Sequence, residues 1–328
     1  MIPAKETFSE SVTVCAGPSI ALTKYWGKQP EGINRPATPS LGVTLGGFQS
    51  QATLTLTGTG HQVTLNGQTQ AIERFQPFFA AAVPYIKEGR SLNAVCGNNF
   101  PTGAGLASSA SGFAALAYAV AQLSAETLSS RDISALARVG SGSAARAVYG
   151  GFTQWPAGAE AAEPLYDADY WPELRLIACL VDSGPKAVSS RNAMERARLT
   201  SPYYQSWVED AQALHNEALT ALAAKDLEKL GDIARHSYLR MFGTMFSSSP
   251  PLLYWHATSV ALIQHTERLR RQGMGVWETM DAGPQVKLLC LVSEVSTIVG
   301  SLNEHFPSLE TVVTHVGTGP CLSDSTKD

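Results

Sequence analysis

From Ser91 to Ala125 the chain carries no charged side chain. Such a stretch has little to hold it in water, so it must be buried in lipid or in protein. A membrane-spanning helix needs about 20 predominantly apolar residues. This stretch instead holds Asn93, Asn98, Asn99, Pro101, Thr102, four glycines and several serines, and its apolar residues are mostly alanine. The pattern argues against a span and predicts a small-residue loop running into a buried helix. Phe113, Leu116, Val120 and Leu123 recur at helical spacing over 109–123, on an alanine-rich frame that favours helix.

The rest of the chain reads as a protein interior of ordinary size. Its 328 residues leave room for two lobes and need no disulfide or metal staple. Hydrophobic residues at 44% against charged residues at 16% exclude a disordered chain. The net charge of −4 argues against a general nucleic-acid or anionic-membrane binder. It leaves room for a small anionic substrate in a locally basic pocket. The five cysteines are odd in number and form no C-x-x-C pair, which predicts free thiols in a reducing compartment. The histidines show no zinc-binding spacing. Met1–Glu6 lacks a basic region followed by an apolar run, so no signal peptide is expected and the cytoplasm is.

Strand patterns dominate the first third. Residues 11–15 and 52–57 alternate, and Val63 and Leu65 precede Asn66-Gly67, the favoured dipeptide of a tight hairpin. A helix is expected from Ser129 or Ser130, with Asp132 in its first turn. Leu174–Val181 is a strong apolar strand. Helical faces follow over 205–224, 226–241 and 253–272. A short strand (275–280), a turn (281–284), a helix from about Gln285 to Gly300 and a strand at 311–316 close the chain. This order suggests α+β with two lobes meeting near residues 175–195.

Four segments carry chemistry. Pro101-Thr-Gly-Ala-Gly-Leu-Ala-Ser-Ser-Ala-Ser111 runs into a helix whose first N–H groups lack intrahelical partners, a terminus that accepts phosphate. It lacks the G-K-[ST] of a Walker loop and the third glycine of a dinucleotide fingerprint, and it reads equally as a tight loop under a buried helix. Lys24-Tyr-Trp-Gly-Lys28 sets two lysines and a tyrosine after a strand, where phosphate oxygens would meet them. Ser141-Gly-Ser-Ala-Ala-Arg146 sets two hydroxyls near one arginine, whose planar fork suits a carboxylate. Met280-Asp-Ala-Gly-Pro284 puts Asp281 between the expected strand and helix, with Pro284 near the first helical position. Asp281 is thus a helix cap, a catalytic group or both.

In this order the segments resemble the diphosphomevalonate decarboxylases, a branch of the GHMP kinase superfamily. The resemblance runs from about residue 12 to about residue 320 and includes Val-Ser-Ser-Arg-Asn-Ala-Met (188–194) and Val-Gly-Thr-Gly-Pro (316–320). It implies a GHMP kinase-like two-lobe α+β fold with a cleft between the lobes. Residues 1–180 would form a lobe like domain 2 of ribosomal protein S5, carrying the phosphate loop. Residues 181–328 would form a ferredoxin-like lobe carrying the catalytic Asp281. It further implies Mg-dependent use of ATP to phosphorylate a tertiary 3-hydroxyl, with phosphate and CO2 then leaving to give isopentenyl diphosphate.

By match to the family, Asp281 orients or deprotonates the hydroxyl and Arg146 clamps the carboxylate. Pro101, Gly103, Ala104, Gly105, Leu106, Ala107, Ser108, Ser109 and Lys186 hold ATP, with Ser109 the expected Mg2+ ligand and a third catalytic residue. Ser19, Lys24, Tyr25, Lys28, Ser141, Ser143, Ser190 and Arg191 meet the substrate with Arg146. A homodimer is expected by family precedent. Three positions depart from the family pattern: Ser19 replaces an Asn, Thr38 begins what is usually Asn-Ser-Ser-Leu, and Phe242-Gly243 replaces His-Ala. These leave two alternatives open, a decarboxylase of mevalonate 5-phosphate or a related 3-hydroxy acid, and a kinase that phosphorylates and stops.

Overall fold

The computed structural model describes residues 10–100, 108–182, 184 and 188–323. Its first half runs β1 (Ser11–Ala16), β2 (Ser19–Ala21), β3 (Ser40–Thr44), β4 (Ser50–Thr57), β5 (Gln62–Leu65), β6 (Gln68–Thr69), α1 (Gln76–Ala82), β7 (Ser91–Asn98), α2 (Ser108–Leu123), α3 (Ser130–Gly140), α4 (Ala144–Ala147), β8 (Phe152–Trp155) and β9 (Glu163–Tyr166). Strands β1-β4-β7-β5-β6 lie side by side in a six-stranded sheet whose sixth strand, Cys321–Leu322 (β14), lies beside β1, and β2-β3-β8-β9 form a second sheet.

Local chemistry explains these elements. β4 alternates buried and more exposed residues, so one face of its sheet packs inward and the other meets solvent. The β5–β6 hairpin turns on Asn66 and Gly67, both at positive φ (49° and 76°), as a primed turn requires. α3 opens on a capping box between Ser129 and Asp132. Phe113, Leu116, Val120 and Leu123 of α2 are buried together with Phe75, Phe78 and Phe79 around α1. Among the described residues no helix is long and apolar enough to cross a membrane.

The second half runs β10 (Leu174–Leu180), α5 (Ser190–Thr200), α6 (Tyr204–Ala223), α7 (Leu227–Phe246), α8 (Ala257–Arg271), β11 (Val276–Thr279), β12 (Val286–Leu291), α9 (Val295–His305), β13 (Glu310–His315) and β14 (Cys321–Leu322). Strands β11-β12-β10-β13 form an antiparallel sheet. Leu174, Leu176, Ala178 and Leu289 pack into one core, shared with β2, β3 and α6. Ile177, Cys179, Val286, Leu288 and Cys290 pack into another, with Trp26, Met241 and Phe242. This sheet is therefore covered on both faces, and both cores draw on residues from each half of the chain. The chain end returns to the first sheet through a Leu45–Val316 bridge and β14 beside β1.

Two expectations are corrected. Residues 286–291 are a strand and not the start of a helix, which follows only at Val295. Val-Lys-Leu-Leu-Cys-Leu is a short, nearly continuous apolar run, and periodicity alone does not separate a doubly covered strand from a buried helix. The helix expected at 253–272 begins at Ala257, after Pro250-Pro251 and the N-cap His256.

Candidate active site

The re-assigned strand changes what surrounds Asp281. Asp281-Ala-Gly-Pro284 connects β11 to β12 and caps no helix. The connection is held from both sides: Ser259 Oγ donates to Pro284 O at 2.7 Å, and Gln285 Oε1 accepts from Val181 N at 2.5 Å. Gly283 sits at φ 79°, where a side chain would be strained and would press on Met280 and Tyr254. The loop thus presents Asp281 at a fixed place.

Its carboxylate lies between two lysines. Lys24 Nζ donates to Oδ1 at 3.0 Å, and Lys287 Nζ donates to Oδ2 at 3.0 Å. Both lysine side chains are 1% exposed, whereas that of Asp281 is 28% exposed. Burial acts to raise the Asp281 pKa, but Lys24 and Lys287 overcome it and hold the carboxyl well below its ordinary range. Burial pushes the Lys24 ammonium down to about 8 although Asp281 opposes this. Lys24 also donates to Ala21 O at 2.6 Å.

Arg146 comes from α4 and is 2% exposed, not the exposed arginine that its sequence neighbourhood permits. Its Nη1 donates to Ser40 Oγ at 2.6 Å, while its Nε is buried without a partner. Burial lowers its pKa to about 10, still charged near neutrality. Gly42 makes room: a β-carbon there would lie 2.6 Å from Arg146 Nε and 2.8 Å from Ser19 Oγ. Ser19 Oγ and Tyr25 Oη are likewise buried and unpartnered. An unpaired buried donor is costly, so three such groups in one cavity wall mark a place built for a polar ligand.

Ser19, Lys24, Tyr25, Lys28, Ser108, Ser109, Ser141, Ser143, Arg146, Ser190, Arg191 and Asp281 all line one cavity of about 770 Å³. Ser109 and Ser141 stand 3.3 Å apart through their hydroxyls, at the start of α2 and the end of α3. Lys28 donates to Asn34 Oδ1 at 2.6 Å, and burial lowers its pKa to about 8, with Arg191 adding to the effect. Gly142 lets Tyr25 in, since a β-carbon would meet its hydroxyl at 2.4 Å. Pro101, Gly103, Ala104, Gly105, Leu106, Ala107 and Lys186 lie outside the described residues.

The sequence matches two family profiles. Residues 16–165 match the diphosphomevalonate decarboxylase-like N-terminal domain. Residues 176–325 match the mevalonate 5-diphosphate decarboxylase C-terminal domain. A diphosphomevalonate decarboxylase of Eremothecium gossypii is 32% identical over 88% of this chain and 79% of its own length. The chain belongs to the diphosphomevalonate decarboxylase family. Its two-lobe fold agrees: the Staphylococcus aureus mevalonate diphosphate decarboxylase superposes with a TM-score of 0.90 at 33% identity, over 96% of this chain and 98% of that one. MDDEF, solved in complex with MVAPP, AMPPCP and magnesium, superposes at 0.89 with 34% identity, over 96% and 99%.

Of the three departures from the decarboxylase pattern, only Ser19 lines the cavity. Thr38 is buried and accepts from Trp26 N while donating to Lys24 O at 3.2 Å. Phe242 packs on Tyr238, Phe246 and Trp255. Sequence reading missed Lys287, Ser40 and Asn34. Lys287 had a signal: it is the one charged residue between Asp281 and Glu294. Ser40 and Asn34 had none: Ser40 meets Arg146 only across the fold, and Asn34, although six residues from Lys28, is oriented by its bonds to Arg138 O and Val139 O in the distant α3.

Proposed function

We propose that the cavity binds mevalonate 5-diphosphate beside Mg-ATP. The γ-phosphoryl group passes to the tertiary 3-hydroxyl, then phosphate and CO2 leave to give isopentenyl diphosphate and ADP. The observation that carries this reading is the Asp281 carboxylate, fixed by two lysines at the cavity wall and facing it alongside buried Arg146.

The low pKa of Asp281 defines its work. It is too weak a base to hold the proton of a ground-state alcohol. It orients the hydroxyl and receives the proton only as the new O–P bond forms, in keeping with phosphoryl transfer governed by positioning and electrostatics. Arg146, with a free Nε beside Ser19 Oγ, takes the substrate carboxylate and holds it in line for loss. Lys28, Tyr25, Ser141, Ser143, Ser190 and Arg191 take the diphosphate. Ser108 and Ser109 fit the triphosphate, since both face the cavity at the N-terminus of the sixteen-residue α2. Ser109 would hold Mg2+, which supplies neutralisation of phosphate charge when bound. Phosphate departure leaves cationic character on a tertiary carbon, and the breaking C–CO2 bond supplies the electron pair that forms the alkene. By family precedent Pro101–Ala107 and Lys186 complete the nucleotide site. We further infer a cytoplasmic homodimer whose lobes divide near residue 180.

The test is incubation of the protein with Mg-ATP and, separately, mevalonate, its 5-phosphate and its 5-diphosphate, following CO2 and ADP. Release of both in equal amounts from the diphosphate alone is expected. Turnover of the 5-phosphate in preference would overturn the substrate, and ADP without CO2 would make the protein a kinase.

A further inference from the structure

The two lysines on Asp281 are not equivalent. Both hold the same carboxylate, but among the described residues Lys24 is part of the cavity lining and Lys287 is not. Lys287 is the one charged residue in β12, whose other side chains are apolar. It stands opposite Thr279 across the β11–β12 pair, which places it on the same side of the sheet as position 281. A buried ammonium is costly to keep unless it is paired. Its bond to Asp281 Oδ2 at 3.0 Å gives it a direct hold on that carboxylate.

We propose that Lys287 is a positioning residue for Asp281: it pins Oδ2 from behind and keeps the carboxylate ionised while Lys24 turns from Oδ1 to the phosphoryl group in transit. This rests on the assignment of Asp281 above. Among the described residues the charged and titratable groups facing Asp281 are Lys24 from the segment after β2, Lys287 from β12 and Arg146 from α4, with Tyr25 beside Arg146. Once Lys24 engages phosphate, Lys287 is, among the described residues, the remaining ammonium in contact with the carboxylate. Without it, burial raises the Asp281 pKa and the acid form can no longer accept the hydroxyl proton.

The test is steady-state kinetics between pH 5 and 9 on Lys287→Met, Lys287→Gln and Lys287→Arg, with Asp281→Asn alongside and thermal melting to establish folding. Lys287→Met should lower kcat about 10- to 100-fold and leave KM for ATP and diphosphomevalonate within about threefold. The acid limb of kcat from Asp281, which lies below this pH range in the wild type because the two lysines keep the carboxylate ionised, should move up into the range. Lys287→Gln, which keeps a donor without the charge, should show the same shift and decides the matter if the Met variant does not fold. Lys287→Arg should restore the limb. An unmoved acid limb in the neutral variants, or a raised KM at unchanged kcat, would overturn the proposal. If Asp281→Asn turns over at near wild-type rate, the reading of the site itself fails. An inactive Asp281→Asn beside a wild-type-like Lys287→Met sinks only the role of Lys287.

Discussion

The six-stranded sheet and the β11-β12-β10-β13 sheet treat solvent in opposite ways. In β4, buried residues alternate with more exposed ones, and Gln51 lies open. In β12, five successive residues are buried, one of them a lysine. A sheet with a wet face has somewhere to put its polar side chains. A sheet covered on both faces does not, so each charge it carries must find a partner inside. Lys287 and Asp281 partner each other, and Glu278 of β11 pairs with Arg235 and Arg270 at 2.7 Å each. The doubly covered sheet therefore concentrates fixed charge, and the cleft draws on it.

The largest effect should come from charging that sheet without a partner. Leu288 is 0% exposed, and Leu288→Asp would bury a lone carboxylate. The expected loss exceeds about 4 kcal/mol, enough to abolish cooperative folding, as read by denaturant melts. A Leu288→Asp protein that melts like wild type would mean that this face is wetter than its neighbours indicate.

A smaller effect sharpens the electrostatic side of the comparison. Lys24 and Lys28 both lose protons near pH 8, so kcat/KM for diphosphomevalonate should decline above that pH, by about tenfold per unit once one essential ammonium titrates. The sign for stability is the reverse. The folded-state pKa of Lys24 lies below its ordinary value of 10.5, so the unfolded chain binds more protons between about pH 8 and 10.5. Through this group, stability rises with pH across that window. Melting temperatures measured in parallel should therefore show no matching loss through Lys24. A rate profile flat to pH 10 would remove both lysines from the binding step.

The smallest effect belongs to the wet face. Gln51→Asp in β4 should change stability by less than about 0.5 kcal/mol and leave kcat unaltered. A cost as large as that of Leu288→Asp would erase the contrast between the two sheets.

Much of this was legible in the chain itself. Alternation announced β1 and β4, Asn66-Gly67 the hairpin, Ser129 and Asp132 the capping box, and alanine-framed periodicity the buried α2. Each is a local signal, decided by neighbours within a few residues. The motif segments also pointed to the cleft: every described residue expected there lines one cavity. What the sequence could not decide was non-local. Val286–Leu291 is apolar in either conformation, and only its pairing with β10 and β11 made it a strand. That choice turned Asp281 from a helix cap into the tip of a strand connection and brought Lys287 to its back. Ser40 holds Arg146 across 106 residues, and Lys24 reaches Asp281 across 257. The sequence determined which residue types were present and which segments would be helix or alternating strand. The tertiary structure determined which charges share a buried space, and burial makes those neighbours the strongest influence on how each group titrates.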